Sequence, residues 1–378
     1  MTAQRRLVLV GGGHSHALVL ASFAAAPEPR LCVTVISPHR YSTYSGMVPG
    51  VIAGRYTLGE AQIDVAGLAQ RAAAAFRSAR CDRLDAARRT VELSDGSRVP
   101  YDLLSFDIGS QQASSAQVED GAPVVAVKPI EPALLQIDAR LALAPPPEGR
   151  RIVVVGAGAA GTELAFALAA RLRREPNVSI VLCDAAAHPV ATHGARAIAL
   201  VRRACAEAGI RFVGGAPVER VTRGGLQFTG GRELPTELVI WATGATAPRL
   251  FAESGLPVDR RGYLLVGADL RCRAPREIFA AGDCATLIPC PELPKAGVYA
   301  VRQGSVLAGN LRAAAGGGPL RDFRPRARVL ALLNTGDGRA ILSYGRCAWW
   351  SRWAWRLKDR IDRRFVARLA ALAGPGRG

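Results

Sequence analysis

Two stretches of the chain share one pattern of apolar and polar positions. Each begins with a short run of branched apolar residues, continues through a glycine-rich turn, and ends in apolar residues at helical spacing. In the first, residues 6–10 predict a strand, 14–26 a helix and 31–36 a second strand. In the second, "RIVVVGAGAAGTELAFALAARL" repeats the strand, turn and helix, and "VSIVLCD" supplies the next strand. The Pro-rich segment "APPPEGR" (144–150) precedes this second start and reads as a linker. "AAAGGGPL" (313–320) reads as another flexible linker, followed by short strands and a helical stretch rich in Trp and Arg. The predicted fold class is α/β, with two Rossmann-like dinucleotide-binding domains. A small C-terminal α+β region ends in an amphipathic helix.

Length agrees with this division, because 378 residues suit two or three domains. No apolar run approaches the ~20 residues of a membrane-crossing helix. The first apolar stretch is too short for a signal peptide and leads into a turn, so it reads as a strand, and a cytoplasmic location is expected. The eight Cys residues form no C-x-x-C pair and show no zinc spacing; no metal site is expected. The net charge is +18, and the segment from Arg321 onward carries more than half of it. Only Lys128, Lys295 and Lys358 are lysines; every other basic residue is Arg. A Lys against that background suggests a site that needs a compact charge.

Gly156, Gly158 and Gly161 form a complete G-x-G-x-x-G between a strand and a helix. The first permits the tight turn, the second admits a pyrophosphate and the third lets helix pack on strand. Asp184 ends the following strand, where a carboxylate suits the free 2′-hydroxyl of NADH and repels the 2′-phosphate of NADPH. The first turn, "GGGHSH", keeps Gly11 and Gly13 but has His16 in the third place, and Ser37 rather than an acid ends the next strand. His14, at the helix start, is either a cofactor contact or a packing residue.

"EIFAAGDCA" (277–285) adds Gly282 and Asp283 at a strand end, and Gly109 and Gly244 end two further strands, "LLSFDIGS" and "LVIWATGA". In this order the motifs resemble the pyridine nucleotide-disulfide oxidoreductase superfamily. "GGGHSH", "SPHRYSTYSGMVPGVIAGRY", "VKPI", "PKAGVYAVRQG" and "WRLKDRIDRRF" resemble, within it, a flavoprotein group sometimes fused to selenide, water dikinase. The tail is similar to that of type II NADH dehydrogenases and sulfide:quinone oxidoreductases. The resemblance implies an FAD-binding domain in two segments (1–112 and 248–316) and a connection (113–150). It further implies an NAD(P)H-binding domain (151–247) and a C-terminal interface or membrane-contact region (317–378). FAD would then be held by Gly11, Gly13, His14, Ser37, Gly109, Gly282 and Asp283. NADH would be held by Gly156, Gly158, Gly161, Asp184 and Gly244, with NADPH the poorer donor.

The resemblance further implies that Glu163 reaches the nicotinamide and flavin edge, and that Lys128 and Lys295 bring positive charge to the reduced flavin. Tyr44, Ser45, Tyr299, Arg302 and Gln303 would line an acceptor pocket, although Val298 and Arg302 stand where quinone-reducing relatives carry Gln. Residues 41–50 contain no Cys, which disfavours a dithiol relay. The leading expectation is hydride transfer from NADH to flavin and onward to a quinone. The alternatives are a soluble NADH-dependent reductase or oxidase serving selenium or sulfur metabolism, and a flavoprotein switch for a partner. Trp350, Trp353, Leu357, Ile361 and Phe365 recur at helical spacing with Arg opposite, so a peripheral membrane contact on the inner face is expected. The other occupants of that face would be the chain's own flavin unit or a second subunit of a homodimer. Nucleic acid is not expected, since no recognition motif accompanies the charge.

Overall fold

The computed structural model describes residues 4–112, 116–144, 146–147, 149–326 and 328–374. β1 (Arg5–Val10), α1 (His14–Ala25) and β2 (Leu31–Ser37) form the first βαβ start. A short hairpin, β3 (Tyr41–Thr43) with β4 (Gln62–Asp64), brackets the loop that holds α2 (Val48–Ile52). Next come α3 (Val65–Arg71), capped by the Asp64 carboxylate, and β5 (Ala75–Ser78). A meander, β6 (Cys81–Asp85), β7 (Thr90–Leu93) and β8 (Arg98–Pro100), precedes β9 (Leu103–Phe106).

The second unit opens with β10 (Gln111–Gln112), β11 (Gln117–Val118), β12 (Val124–Ala126) and α4 (Ile130–Ala142). It continues through β13 (Arg150–Val155), α5 (Ala159–Leu172), β14 (Val178–Cys183), α6 (Ala195–Glu207) and β15 (Ile210–Val213). β16 (Val218–Thr222), β17 (Gly225–Phe228) and β18 (Glu233–Pro235) form a side sheet, before β19 (Leu238–Trp241) and β20 (Ala245–Thr246). The chain then returns to the first unit with α7 (Leu250–Glu253), β21 (Leu264–Val266), β22 (Ile278–Ala280), β23 (Ala285–Leu287) and α8 (Gly297–Ala315). β24 (Ala331–Asn334), β25 (Ala340–Tyr344), β26 (Cys347–Ser351) and α9 (Arg352–Ala373) close it.

The two units are built alike. One sheet runs β22-β9-β1-β2-β5 and the other β12-β19-β13-β14-β15, with all neighbours parallel. Their central strands are near-continuous runs of Val, Ile and Leu because helices or a second sheet cover both faces. β10 pairs with β20 and so ties together the two chain crossings between the units.

Three expectations change here. The segment read as a connection belongs to the second unit: β12 completes its sheet, and Ala133, Leu134, Ile137 and Leu141 of α4 enter its core. The Pro-rich segment therefore joins α4 to β13 inside that unit. Residues 313–315 of the second presumed linker are the last turn of α8. Trp350 is in β26, not on the terminal helix, because β26 pairs with β25 as far as Ser351, whose side chain caps α9.

Candidate functional site

The first cradle lies where α1 starts. Gly11 has φ +100°, and any Cβ there would fall 2.2 Å from the Asp107 carbonyl oxygen. A Cβ on Gly13 would meet the Asp107 carboxylate at 2.4 Å. His16 is tolerated in place of the third glycine because its ring is fully partnered. Nδ1 donates to the Gly11 carbonyl at 2.7 Å, and Nε2 accepts from Ser105 Oγ at 2.9 Å. Burial lowers its pKa to about 4, so the ring is neutral and packs α1 on β9. Ser37 is buried, faces Gly12 and donates to the His39 carbonyl.

Gly282 and Asp283 form a turn after β22 that meets this cradle; a Cβ on Gly282, at φ +71°, would fall 2.6 Å from Asp107 Oδ1. Lys128 Nζ lies 2.9 Å from Asp283 Oδ2 and donates to Ser110 Oγ at 2.6 Å. Gln303 is buried, and its Oε1 accepts the Gly282 N–H at 2.7 Å, so it fixes this turn. Lys295 donates to the Ala285 carbonyl and to Thr286 Oγ1 at 3.0 Å, with Nζ 4.1 Å from the centre of the Tyr263 ring. Burial lowers its pKa to about 8. Asp283, Cys290, Lys295, Tyr299 and Gln303 line one shallow cleft. Arg302 is half-buried on α8. Cys284 is fully buried, which pushes its thiol up to about 12 and makes it an inert core group.

Above α1, the loop after β3 brings Tyr44 and Ser45 to His14. His14 Nε2 is 3.3 Å from Ser45 Oγ, and its ring centre is 5.2 Å from that of Tyr44. Phe365 of α9 packs against Tyr44 at 4.7 Å. Sequence reasoning missed Glu131, Asp107 and Asp362 here, and singled out Lys358 without a partner or role. Glu131, at the start of α4, accepts the Thr43 N–H at 2.9 Å, and Asp107 joins the two turns of the first cradle. Lys358 and Asp362 form a buried ion pair at 2.9 Å, with Lys358 also donating to the Gly46 carbonyl at 2.9 Å. Burial opposes the charge on Lys358, but Glu163 and Asp362 outweigh it and hold the amine protonated. Burial, and then the nearby Asp362 carboxylate, raise the pKa of the Tyr44 phenol. The scarcity of lysine was the signal that singled out Lys358.

The second cradle is at the start of α5. Gly156 has φ +106°; a Cβ on Gly161 would fall 1.8 Å from the Gly156 carbonyl oxygen, while one on Gly158 would meet nothing within 4 Å. This is the pattern of a turn packed below and open above. Asp184 is pinned by two backbone donors, Ala157 N–H at 2.6 Å and Ala186 N–H at 2.7 Å, so its carboxylate is fixed beside the turn. Gly109 (φ +67°) and Gly244 (φ +72°) turn the chain after β9 and β19. Glu163 accepts the Asn334 N–H at 2.8 Å, and burial raises its pKa. It therefore joins α5 to the C-terminal sheet.

Two nucleotide cradles on duplicated parallel sheets define a two-dinucleotide oxidoreductase. The sequence profile described as pyridine nucleotide-disulphide oxidoreductase matches residues 5–304, and the chain belongs to that family. It is an FAD-dependent NAD(P)H oxidoreductase. Its fold is similar to that of the sulfide:quinone oxidoreductase from the hyperthermophilic bacterium Aquifex aeolicus. The TM-score is 0.82 at 17% identity, over 98% of this chain and 93% of the other. NDH2 from Plasmodium falciparum, solved with NADH, is similar at TM-score 0.79 and 15% identity over 99% of each chain. An NAD-dependent persulfide reductase from A. fulgidus matches at TM-score 0.75 and 21% identity, over 90% of this chain and 64% of the other.

The residues present fit FAD. The cradle at Gly11 and Gly13 has no room for a side chain, and buried Thr43 Oγ1, beside Tyr44, has no hydrogen-bond partner among the described residues. A bound cofactor is the kind of group that completes such an atom.

Proposed function

We propose that this enzyme takes reducing equivalents from NADH and passes them to a quinone held at a membrane surface. FAD, when bound, supplies the redox chemistry, and the protein orients the two reactants. The Gly156–Gly161 turn and Asp184 hold the NADH end. Asp283, buttressed by Lys128, anchors the flavin side chain, and Gln303 holds the Gly282 turn in register. His14, Tyr44 and Phe365 form the aromatic wall against which a planar acceptor packs, and Ser45 holds His14. Lys358, Asp362 and Glu163 keep charge and proton-bearing groups behind Tyr44.

The observation that carries this reading is the placement of α9. One face closes over the Tyr44 loop, through Lys358, Asp362 and Phe365. The other carries Trp353 at 64% exposure and Ile361 at 45%, next to Trp349 at 52% on β26. Arg352, Arg356, Arg360 and Arg364 are exposed beside them. Trp with Arg is the mixture suited to an anionic lipid interface. Among the described residues no helix is long and apolar enough to cross a membrane, so this contact would be peripheral. The likeness to the sulfide:quinone oxidoreductase and to NDH2 extends over nearly the whole chain, α9 included.

A second reading, an NADH-dependent reductase of sulfur or selenium compounds, is favoured by Cys290, which is half-buried in the cleft beside Asp283 and Lys295. One experiment separates the two. Enzyme reduced anaerobically with NADH is mixed with a short-chain quinone, a persulfide or oxygen. Fastest reoxidation by the quinone supports the first reading, and fastest reoxidation by the persulfide, lost in Cys290→Ser, supports the second.

A further inference from the structure

Asp107 is a carboxylate at 4% exposure in the floor of the FAD cradle. It follows β9, and its Oδ2 accepts the N–H of Ser15 at 2.7 Å and of His16 at 3.1 Å, in the first turn of α1. Its main-chain carbonyl accepts the Gly13 N–H at 3.2 Å. The clearances at Gly13 and Gly282 place the carboxylate between the two turns that make the cradle. A helix start of this kind attracts a diphosphate through its N–H groups and its dipole. Here a fixed carboxylate already occupies part of that field. An ionised Asp107 next to a bound diphosphate would be a like-charge pair in a water-poor site.

His14 and the Ser15 and His16 N–H groups favour the ionised carboxylate, but burial outweighs them. On α1, burial lowers the pKa of both His14 and His16, which favours their neutral forms. In the turn after β22, Asp283 adds a negative charge and Cys284 is a buried thiol. Lys128 is spent on Asp283 at 2.9 Å, and Lys295 is turned to the Ala285 carbonyl. From α8 the uncharged Ala300 and Gln303 face this corner.

We propose that Asp107 couples FAD capture to the uptake of one proton. The carboxyl is ionised in the empty cradle at neutral pH and protonated once the diphosphate is in place. Oδ2 keeps the Ser15 and His16 N–H bonds in both states, and the proton sits on Oδ1, which faces the Gly282 turn. Burial, opposed by the Ser15 and His16 N–H bonds and by His14, raises the carboxyl to about 6, and the second anion raises it further. The sign follows. Above about pH 6 the empty cradle must take up a proton to bind FAD, so affinity falls by up to about tenfold per pH unit.

The test uses the holoenzyme. It is diluted, and released FAD is read by its fluorescence at equilibrium between about pH 6 and about pH 7.5. That window lies below the loss of charge on Lys295, whose pKa is about 8. The dissociation constant should rise in the wild type, with a slope that approaches tenfold per pH unit above about pH 7, and stay flat in Asp107→Asn, which keeps the acceptor oxygen but cannot ionise. Calorimetry of FAD rebinding near neutral pH, in two buffers of different ionisation enthalpy, should read close to one proton taken up. A flat wild-type constant, an absence of proton uptake, or a slope that survives in Asp107→Asn each overturns the proposal. If the Asn variant does not fold, the wild-type calorimetry still decides.

Discussion

Lys358 and Asp362 stand one turn apart on α9, with Nζ 2.9 Å from Oδ2, and both are buried where the terminal helix meets the loop after β3. The pair joins three distant parts of the chain, because Lys358 also bonds to Gly46 and is drawn by Glu163. Around it, Tyr56 Oη donates to Asp359 at 2.7 Å and Arg363 pairs with Glu60 at 2.7 Å, which fastens the rest of α9.

Breaking this pair on one side leaves a buried charge without a partner. Lys358→Met should destabilise the holoenzyme by about 3–5 kcal/mol, and Lys358→Met with Asp362→Leu should recover much of that loss. Urea denaturation of both variants measures it. Equal losses in the single and double variants would show that the amine matters only through its bond to Gly46.

Asp283 is the carboxylate proposed to hold the flavin side chain. Asp283→Ala removes that acceptor and leaves Lys128 without its carboxylate, a loss of about 1.5–3 kcal/mol in cofactor affinity. The purified variant should be colourless, with little visible absorbance per protein. A yellow, fully loaded Asp283→Ala protein would remove this residue from the FAD site.

Asp184 is held by Ala157 and Ala186 beside the second cradle, and it is the carboxylate proposed to meet the ribose of NADH. NADH should therefore have a higher kcat/KM than NADPH, and Asp184→Asn should narrow the gap by raising the NADPH value. Steady-state kinetics with both donors decides this, and equal constants in the wild type would defeat the assignment.

Trp353 and Ile361 project from the outer face of α9 and are not needed by the core. Trp353→Ser with Ile361→Ser should leave flavin content and thermal stability unchanged but abolish flotation with anionic vesicles. Wild type should float at low salt and less at high salt, because screening weakens the Arg contribution. If wild type stays unbound at low salt, the outer face is a protein contact or plain surface.

The local signals in the sequence determined the duplicated fold. Runs of Val, Ile and Leu at β1, β2, β13 and β14 and the glycines at 11, 13, 156, 158 and 161 act within a few residues of themselves. A strand buried on both faces and a turn with no space for Cβ are therefore readable one segment at a time. Asp283 was legible for the same reason, through the Gly-Asp turn that ends a buried strand. Only the tertiary structure decided what met at the cradles. Glu163 and Asn334 are 171 positions apart, and Asp107 is 92 from Ser15; no periodicity links such pairs. The helical stripe at 350–365 was misread at its start because a Trp on a strand and a Trp on a helix look alike until β25 claims one of them. The segment 113–150 reads as a connection in sequence, and its two-residue and three-residue strands are too short to show alternation; β12 gains its place only by pairing with β19. Burial of a charge is likewise a property of the whole fold. Lys358 and Asp362 are one helical turn apart in sequence, and they became an enclosed pair only when α9 lay down on the loop at Gly46.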